Sequence, residues 1–248
     1  MFPILSIGGL AIQVPELLIL VGLWTGLSAA ERSAHRHGIP AETLYNLVFF
    51  SLIAGVIGAR LAYVGRHLDV FVRNPLGLFS LRPELLDPLG GLAAVVLVGV
   101  FLIQRRGLRL GPVLDALTPL FAVVMIAVPA ANFASGDAYG APAALPWSVE
   151  LWGAKRHPAQ VYEFLAALGV FIYLVVQAKT EKSPAGTLFL NFVALSAATR
   201  LFLEVFRGDS PVFGPGLRVV QLAAWVVMAS ALFGLWRLMR RGSRLTAP

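Results

Sequence analysis

The sequence predicts an all-α membrane protein, a polytopic helical bundle with about seven transmembrane helices. Of its 248 residues, 58% are hydrophobic and 13% are charged, and the mean hydropathy is +0.78. Soluble domains carry about 25% charged residues. Several apolar runs approach the roughly 20 residues that a helix needs to cross the hydrocarbon core. Because an isolated strand cannot satisfy its backbone in lipid, these runs are expected to be helices.

Seven spans are predicted from the apolar runs in chain order. They cover about 11–30, 43–64, 88–104, 112–129, 159–178, 185–206 and 218–238. Together they are expected to form a single integral membrane domain over residues 1–248, with longer loops at about 65–87 and 130–158. No charged segment precedes the first run, so we expect that run to be a retained span and not a cleaved signal peptide.

The basic residues in the connections predict the orientation of the chain. One side carries eleven of them: Arg32, Arg36, Arg105, Arg106, Arg109, Lys179, Lys182, Arg237, Arg240, Arg241 and Arg244. The other side carries seven: Arg66, Arg73, Arg82, Lys155, Arg156, Arg207 and Arg218. By the positive-inside rule the richer side is cytoplasmic, which places the C-terminus in the cytoplasm and the N-terminus outside. Both longer loops are then expected on the outer face.

Charge and cysteine content exclude several classes of function. The net charge of +7 lies at the ends of apolar segments, so we interpret it as topology signals and contacts with anionic lipid head groups, not as a nucleic-acid surface. The absence of cysteine excludes disulfides, Cys metal sites and a covalent mechanism on a thiol of this chain. The four histidines do not form a metal set, since His35 and His37 lie in a basic loop while His67 and His157 stand alone. No metal or cofactor is expected.

The first long loop, residues 65–87, is open to two interpretations. It contains Phe71, Leu78 and Phe79 among three basic residues, Arg66, Arg73 and Arg82. This mixture fits an amphipathic element lying on the membrane surface. An irregular solvated loop fits equally well.

Two arginines, Arg60 and Arg200, fall inside predicted spans. A charge at bilayer depth costs several kcal/mol, so each needs a functional or structural reason. Arg200 lies four residues before Glu204, on the same helix face. The structural interpretation is an ion pair that joins helices. The functional one is a guanidinium that binds a lipid phosphate through its planar, bidentate donors.

The second long loop carries the densest set of motif residues. Asn132-Phe133, Gly136-Asp137-x-Tyr139-Gly140, Pro146-Trp147 and Arg156-His157-Pro158-x-Gln160-x-Tyr162-Glu163 follow one another between two spans. Taken singly, each motif is explained by an interfacial loop with turns. The ordered combination is much more specific.

In this combination the loop resembles the central loop of the bacterial prolipoprotein diacylglyceryl transferases, and the resemblance covers nearly the whole chain. The second span contains Gly58-Ala59-Arg60-Leu61-x-Tyr63-Val64, the fourth Asp115-x-x-x-Pro119, and the sixth Arg200-x-x-x-Glu204-x-x-Arg207. Each is similar to the family's motif in that helix. Gln221 falls where the family often has Gln.

At several positions the sequence departs from the family pattern. Leu89 stands where a His usually precedes a Gly-Gly pair, and Pro129 stands where the family usually has Arg. Ser135 and Asp137 replace an Asn and a Glu, and Pro15 replaces a Tyr of the first span. Two interpretations remain: a divergent enzyme with a rebuilt site, or a paralogue that lost or changed the reaction.

The resemblance implies transfer of a diacylglyceryl group from phosphatidylglycerol to the lipobox cysteine of a lipoprotein-precursor signal peptide, in the bacterial cytoplasmic membrane. The expected catalytic residues are Arg200 as phosphate clamp, Glu204 orienting it, and His157 as base or as structural hydrogen-bonding group. The expected substrate-binding residues are Arg60, Asn132, Asp137, Tyr139, Gly140 and Arg207.

The rival from another class is a non-catalytic lipid-binding protein or a small transporter that holds an anionic ligand with the same buried charges. Leu89 and Pro129, which replace the usual His and Arg, favour this rival. The residues retained from the family pattern oppose it: Arg60, Asn132, Tyr139, Gly140, Arg200, Glu204 and Arg207. A rhomboid-like protease is a weaker alternative because no Gly-x-Ser-x-Gly occurs.

Overall fold

The helices of the chain agree with the predicted spans. A computed structural model describes residues 4–7, 10–73, 77, 82, 85–180, 183–210, 212–213 and 217–245. Its helices are α1 (Val14–Arg36), α2 (Ala41–Arg66), α3 (Leu68–Arg73), α4 (Pro88–Arg105), α5 (Leu110–Ser135), α6 (Ala159–Thr180), α7 (Thr187–Leu203) and α8 (Val219–Leu245). All but α3 are long and apolar enough to cross a membrane. The prediction of an all-α polytopic bundle with seven spans is confirmed.

The outer faces of these helices are suited to lipid. Large apolar side chains are exposed along them, among them Trp24 in α1, Leu97 in α4 and Val226 in α8. A soluble protein rarely exposes so much contiguous apolar surface to water. In a bilayer the hydrocarbon covers it.

Besides the helices, the described residues form three short antiparallel hairpins, one before α1 and two between helices. They pair β1 (Ile4–Ile7) with β2 (Leu10–Gln13), β3 (Val149–Leu151) with β4 (Ala154–Arg156), and β5 (Val212–Phe213) with β6 (Leu217–Arg218). A 3-10 helix at Glu204–Phe206 continues α7. None of the hairpins was predicted. In the β3–β4 hairpin the two turn residues, Trp152 and Gly153, have positive φ of 54° and 72°, as a type I′ turn requires.

Helix α5 passes the predicted end at residue 129 and ends at Ser135, with Pro119 and Pro129 inside it. Proline removes one backbone hydrogen bond, a loss that transmembrane helices tolerate where neighbouring groups compensate. Asn132 and Phe133 therefore lie on the last turns of a helix, although the sequence placed them in a loop. The backbone of these two motif residues is therefore held by helix α5.

The loop at 65–87 contains helix α3. Its Phe71 is buried, whereas Leu68, Val70 and Val72 are exposed. Leu78 and Phe79 lie outside the described residues. The amphipathic surface element and the irregular loop both stay predictions.

The chain divides into two compact units, which are described separately. The smaller comprises Ala34–Val113 and the larger comprises Met1–Ser33 with Leu114–Pro248. In the smaller unit α2 and α4 pack through small residues: a Cβ on Gly58 would lie 2.3 Å from Cβ of Ala94, and one on Gly90 would lie 2.1 Å from Cβ of Ala62. Such contacts let membrane helices approach closely. The predicted single domain over residues 1–248 stays a prediction.

In the larger unit a carboxylate holds the start of α7. Asp115 of α5 is 4% exposed, and its two oxygens accept hydrogen bonds from the amides of Gly186 (2.5 Å) and Phe189 (2.9 Å). Gly186 takes a left-handed conformation with φ of 96°. Asp115 thus satisfies amides that the first turn of α7 would otherwise leave unpaired, which gives this motif residue a structural role.

Candidate functional site

The larger unit contains a cluster of six charged side chains around the ends of α6 and α7. Glu163 lies in α6, Arg200 in α7, and the others follow in the next segments: Glu204, Arg207, Asp209 and Arg218. Three are cationic and three are anionic. This balance allows their burial, because a buried charge is costly unless it is paired and hydrogen-bonded.

Arg200 joins two carboxylates. Its Nη1 lies 3.0 Å from Oε1 of Glu163 and its Nε lies 3.0 Å from Oε2 of Glu204. Its Nη2 makes no hydrogen bond with the residues that the structure describes. The two ion pairs are those that the structural interpretation of Arg200 requires. The remaining nitrogen, Nη2, is available to a phosphate, whereas the functional interpretation expected two guanidinium nitrogens to bind it.

Glu204 is the most deeply buried member of the cluster, with 0% of its surface exposed. Besides the ion pair with Arg200, it accepts a hydrogen bond from the hydroxyl of Ser210. Arg218 donates to the backbone carbonyls of Glu204 and Arg207. Side chains on both sides therefore fix the 3-10 segment that carries Glu204.

Arg207 differs from Arg200 in that all three of its guanidinium nitrogens bind carboxylates. Nη1 lies 3.1 Å from Oε1 of Glu163, while Nε and Nη2 lie 2.8 and 2.7 Å from the two oxygens of Asp209. Burial lowers the pKa of Arg207, but the hydrogen bond to Asp209 and the charges of Glu163 and Asp209 outweigh burial, so the net pKa is raised. Arg207 is a permanent charge that serves the architecture of the cluster.

A cavity of about 240 Å³ opens beside Arg200, between α5, α6 and α7. Its lining consists of Met125, Val128, Pro129, Glu163, Ser196, Thr199, Arg200 and Leu203. The Arg200 side chain is 37% exposed, whereas that of Arg207 is only 11% exposed. Arg200 is therefore the cation that a ligand in this cavity would meet. Pro129, which stands where the related family usually has Arg, lines the same cavity.

The second long loop, at about 130–158 and called the motif loop from here on, is joined to the charged cluster through backbone hydrogen bonds. Gly140 pairs with Arg207 as an antiparallel bridge, the amide of Ala141 donates to the carbonyl of Phe206 (2.8 Å), and the amide of Gly208 donates to that of Tyr139 (2.9 Å). A Cβ on Gly140 would lie 2.1 Å from the carbonyl oxygen of His157. Only glycine fits here, because two backbone segments approach too closely for a side chain.

Tyr139 and His157 lie on either side of this junction. The guanidinium of Arg156 lies 4.7 Å from the ring centre of Tyr139, a cation–π distance. The half-buried His157 ring lies 5.1 Å from that of Phe206, and its Nδ1 is 3.5 Å from the hydroxyl of Tyr162. His157 thus sits in an aromatic cluster, where its imidazole can orient neighbours as well as exchange a proton.

Asn132 and Asp137 line a second cavity, of about 770 Å³, between the start of α1 and the end of α5. Pro15 and Ser135 line it too, so three of the positions at which the sequence departs from the family pattern meet in one cavity. Val128 belongs to the walls of both cavities. Of the expected site residues in the larger unit, Arg200 lines the first cavity, and Asn132 and Asp137 line the second. The others line neither of these two cavities: Tyr139, Gly140, His157, Glu204 and Arg207.

Gln160 anchors the motif loop to α6, a role that the sequence analysis did not predict. It is 1% exposed, and its side-chain nitrogen donates to the carbonyl of Asp137 at 2.8 Å. It precedes Glu163 by one helical turn, so both side chains leave the same face of α6. A Gln three residues before a Glu in the first turns of an apolar helix is the sequence signal that indicates this role.

Arg60 and Leu89 belong to the smaller unit. Arg60 is 6% exposed and donates to the carbonyls of Leu85 (2.8 Å) and Gly77, and its guanidinium lies 5.0 Å from the ring centre of Phe71. Leu89 is exposed in the first turn of α4. Arg60 therefore ties the connection after α3 to α2.

Comparisons with known proteins agree with this arrangement of motifs. A family model described as prolipoprotein diacylglyceryl transferase matches residues 3–237. Three relatives bear the name phosphatidylglycerol–prolipoprotein diacylglyceryl transferase. The one from Finegoldia magna is 29% identical over 92% of this chain and 91% of its own. The relative from Clostridioides difficile is 28% identical over 88% of this chain and 87% of its own. The relative from Gloeobacter violaceus is 29% identical over 99% of this chain and 95% of its own. The chain belongs to the prolipoprotein diacylglyceryl transferase family.

Proposed function

We propose that this protein transfers a diacylglyceryl group from phosphatidylglycerol to the lipobox cysteine of a lipoprotein precursor. The precursor's thiolate attacks the glyceryl carbon that carries the phosphate ester, the carbon–oxygen bond breaks, and glycerol phosphate leaves. The thiol proton passes to a base or to water. The observation that carries the proposal is Arg200, which lines a cavity among membrane helices and has one guanidinium nitrogen without a hydrogen bond to any residue that the structure describes.

Arg200 is the proposed phosphate clamp. Negative charge develops on the departing phosphate oxygen, and a preorganised cation in a low-dielectric site stabilises it without reorganising. Glu163 and Glu204 hold two edges of the guanidinium, which leaves Nη2 for the ligand. Glu204 is thus a positioning residue.

The other expected substrate-binding residues fall into groups according to what surrounds them. Asn132 and Asp137 line the second cavity, where amide and carboxylate groups suit the hydroxyls of a glycerol head group. Tyr139, Gly140 and Arg207 set the backbone junction that fixes this loop. Arg60 stays a second proposed phosphate ligand, with hydrogen bonds to two carbonyls as its structural anchor.

We further propose a multi-pass arrangement in the bacterial cytoplasmic membrane, with the N-terminus outside and the C-terminus in the cytoplasm. Eleven basic residues on one set of connections against seven on the other support this orientation. The motif loop then faces outward, where a phospholipid of the outer leaflet enters between helices.

A lipid-binding paralogue without transferase activity is the second candidate. The observation that favours it is Pro129, an apolar residue in the wall beside Arg200 where the family usually supplies a second cation. The bundle would then hold an anionic lipid without cleaving it.

We expect the purified protein, given phosphatidylglycerol and a lipobox peptide, to increase the peptide mass by one diacylglyceryl group and to release glycerol phosphate. Mass spectrometry measures both products. Phosphatidylcholine in place of phosphatidylglycerol, and a peptide with serine for cysteine, are the controls. Absence of product, under conditions in which the Finegoldia magna relative forms it, would support the lipid-binding paralogue.

The role of His157 is tested by a pH–rate profile. If His157 is the base, His157→Gln lowers the rate and alters its dependence on pH. We expect this result. Leu89→His is the companion variant, for which we expect little gain. An unchanged profile in His157→Gln would leave thiol activation to the field of nearby arginines, which lowers a thiol pKa without a base. A large increase in rate in Leu89→His would show that the site lacks a group it needs and has not replaced it.

A further inference from the structure

The smaller unit has a groove on one flank of the α2–α4 pair that the proposed reaction does not use. It has a volume of about 720 Å³, and its floor and walls are mostly apolar: Leu47, Phe50, Ile53, Ala54, Ile57, Val98, Phe101, Leu102, Ile103 and Leu108. The polar lining residues are Thr43, Asn46, Arg105 and Arg106. All four lie where α2 begins and α4 ends, so the groove is polar at one end and apolar along the rest.

The length of the groove matches one leaflet of a bilayer. From Thr43 to Ile57 it follows α2 for about 20 Å at 1.5 Å per residue, and half of a hydrocarbon core is about 15 Å. Since α2 and α4 both have the length and composition of membrane spans, the apolar stretch lies in hydrocarbon and the polar end lies at head-group level.

The polar end of the groove carries positive charge that no described carboxylate pairs with. Arg105 and Arg106 are exposed, and neither forms an ion pair or hydrogen bond through its side chain within the described part of the chain. Basic pockets between transmembrane helices bind anionic lipid head groups, especially on the cytoplasmic side. Arg105 and Arg106 belong to the richer set of basic connections, which the positive-inside rule assigns to that side.

We propose that this groove binds an anionic phospholipid, with its phosphate at Arg105 and Arg106 and an acyl chain along Phe50, Ile53 and Phe101. Thr43 and Asn46 supply the additional hydrogen-bonding groups at the head-group end. No residue that lines the groove also lines the cavity beside Arg200, and the inference does not depend on the transfer reaction.

Native mass spectrometry of the detergent-purified protein tests this site with phosphatidylglycerol and with phosphatidylcholine of identical chains. To remove lipid held by the phosphate clamp, the measurement is made in an Arg200→Ala background as well as in the parent. We expect Arg105→Gln/Arg106→Gln to weaken retention of phosphatidylglycerol by roughly tenfold or more. Arg109→Gln removes an exposed charge from the same connection outside the groove, and should retain lipid like the parent.

A second pair of variants tests the apolar part of the groove without altering charge. Ala54→Phe fills the groove, whereas Leu52→Phe places the same aromatic side chain at an exposed position of α2 that does not line it. We expect only Ala54→Phe to reduce retention. Equal retention by the double arginine variant and Arg109→Gln, or equal uptake of both lipids by the parent, would overturn the proposal. A dimer that Ala54→Phe dissociates would instead identify a second copy of the chain as the occupant.

Discussion

Arg200→Lys is expected to lower diacylglyceryl transfer by roughly 100-fold or more while the protein remains in the membrane. Lysine keeps the positive charge but has a single nitrogen on a flexible stem. It cannot contact both Glu163 and Glu204 and still present a fixed donor to the cavity, as the three nitrogens of Arg200 do. The measurement is the initial rate of peptide modification, normalised to folded protein in detergent.

Arg109→Lys is the matched control, because Arg109 is exposed and distant in sequence from the charged cluster. Its rate should equal that of the parent. Arg200→Ala should lose at least as much activity as Arg200→Lys and should also be less stable, since it leaves the buried Glu204 without its ion pair. A near-normal rate in folded Arg200→Lys would show that a point charge suffices, and would contradict the proposal that the guanidinium geometry of Arg200 is needed.

The transmembrane helices were predictable because hydropathy alone encodes them. A span needs about 20 apolar residues whatever its neighbours are, so α2, α4 and α6 began and ended within a few residues of their predicted bounds. The extension of α5 beyond Pro129 was not predictable in this way. Proline normally ends a helix in water, and the sequence does not show that the membrane and neighbouring groups allow α5 to continue to Ser135.

Local spacing predicted one contact of the site and missed the others. Arg200 and Glu204 lie four residues apart on one helix, so their ion pair follows from helix geometry. Glu163 bonds to Arg200 and Arg207, which are 37 and 44 residues away in sequence. No spacing rule reaches that far. The β3–β4 hairpin also escaped because Trp152-Gly153 lacks the usual Asn-Gly or Asp-Gly turn signal.

The departures from the family pattern acquire a physical meaning from their positions. Pro129 lines the cavity that contains Arg200, while Pro15, Ser135 and Asp137 line the neighbouring one. The three substitutions in the second cavity change its shape without changing its charge, whereas Pro129 removes a positive charge beside Arg200. The cluster of Glu163, Arg200 and Glu204, by contrast, keeps every charge paired. This contrast favours a site rebuilt around a retained anion-binding core.

Gly140→Ala is expected to abolish transfer and to destabilise the larger unit by more than about 2 kcal/mol. The new Cβ would lie 2.1 Å from the carbonyl oxygen of His157, which is backbone and cannot rotate away. Separating the segments would break the hydrogen bonds that Ala141 and Gly208 make across the junction. Thermal unfolding in detergent and the rate of peptide modification are the two measurements.

Gly169→Ala provides the control in the same unit, because a Cβ at Gly169 meets no atom within 4 Å. In a helix interior alanine is favoured over glycine by up to about 1 kcal/mol, so this variant should unfold at the same or a higher temperature and should keep its rate. If Gly140→Ala matches Gly169→Ala in both measurements, the close approach of the two segments is not needed for the site. If Gly140→Ala keeps its stability but loses its rate, the junction positions the motif loop for the reaction without contributing to folding.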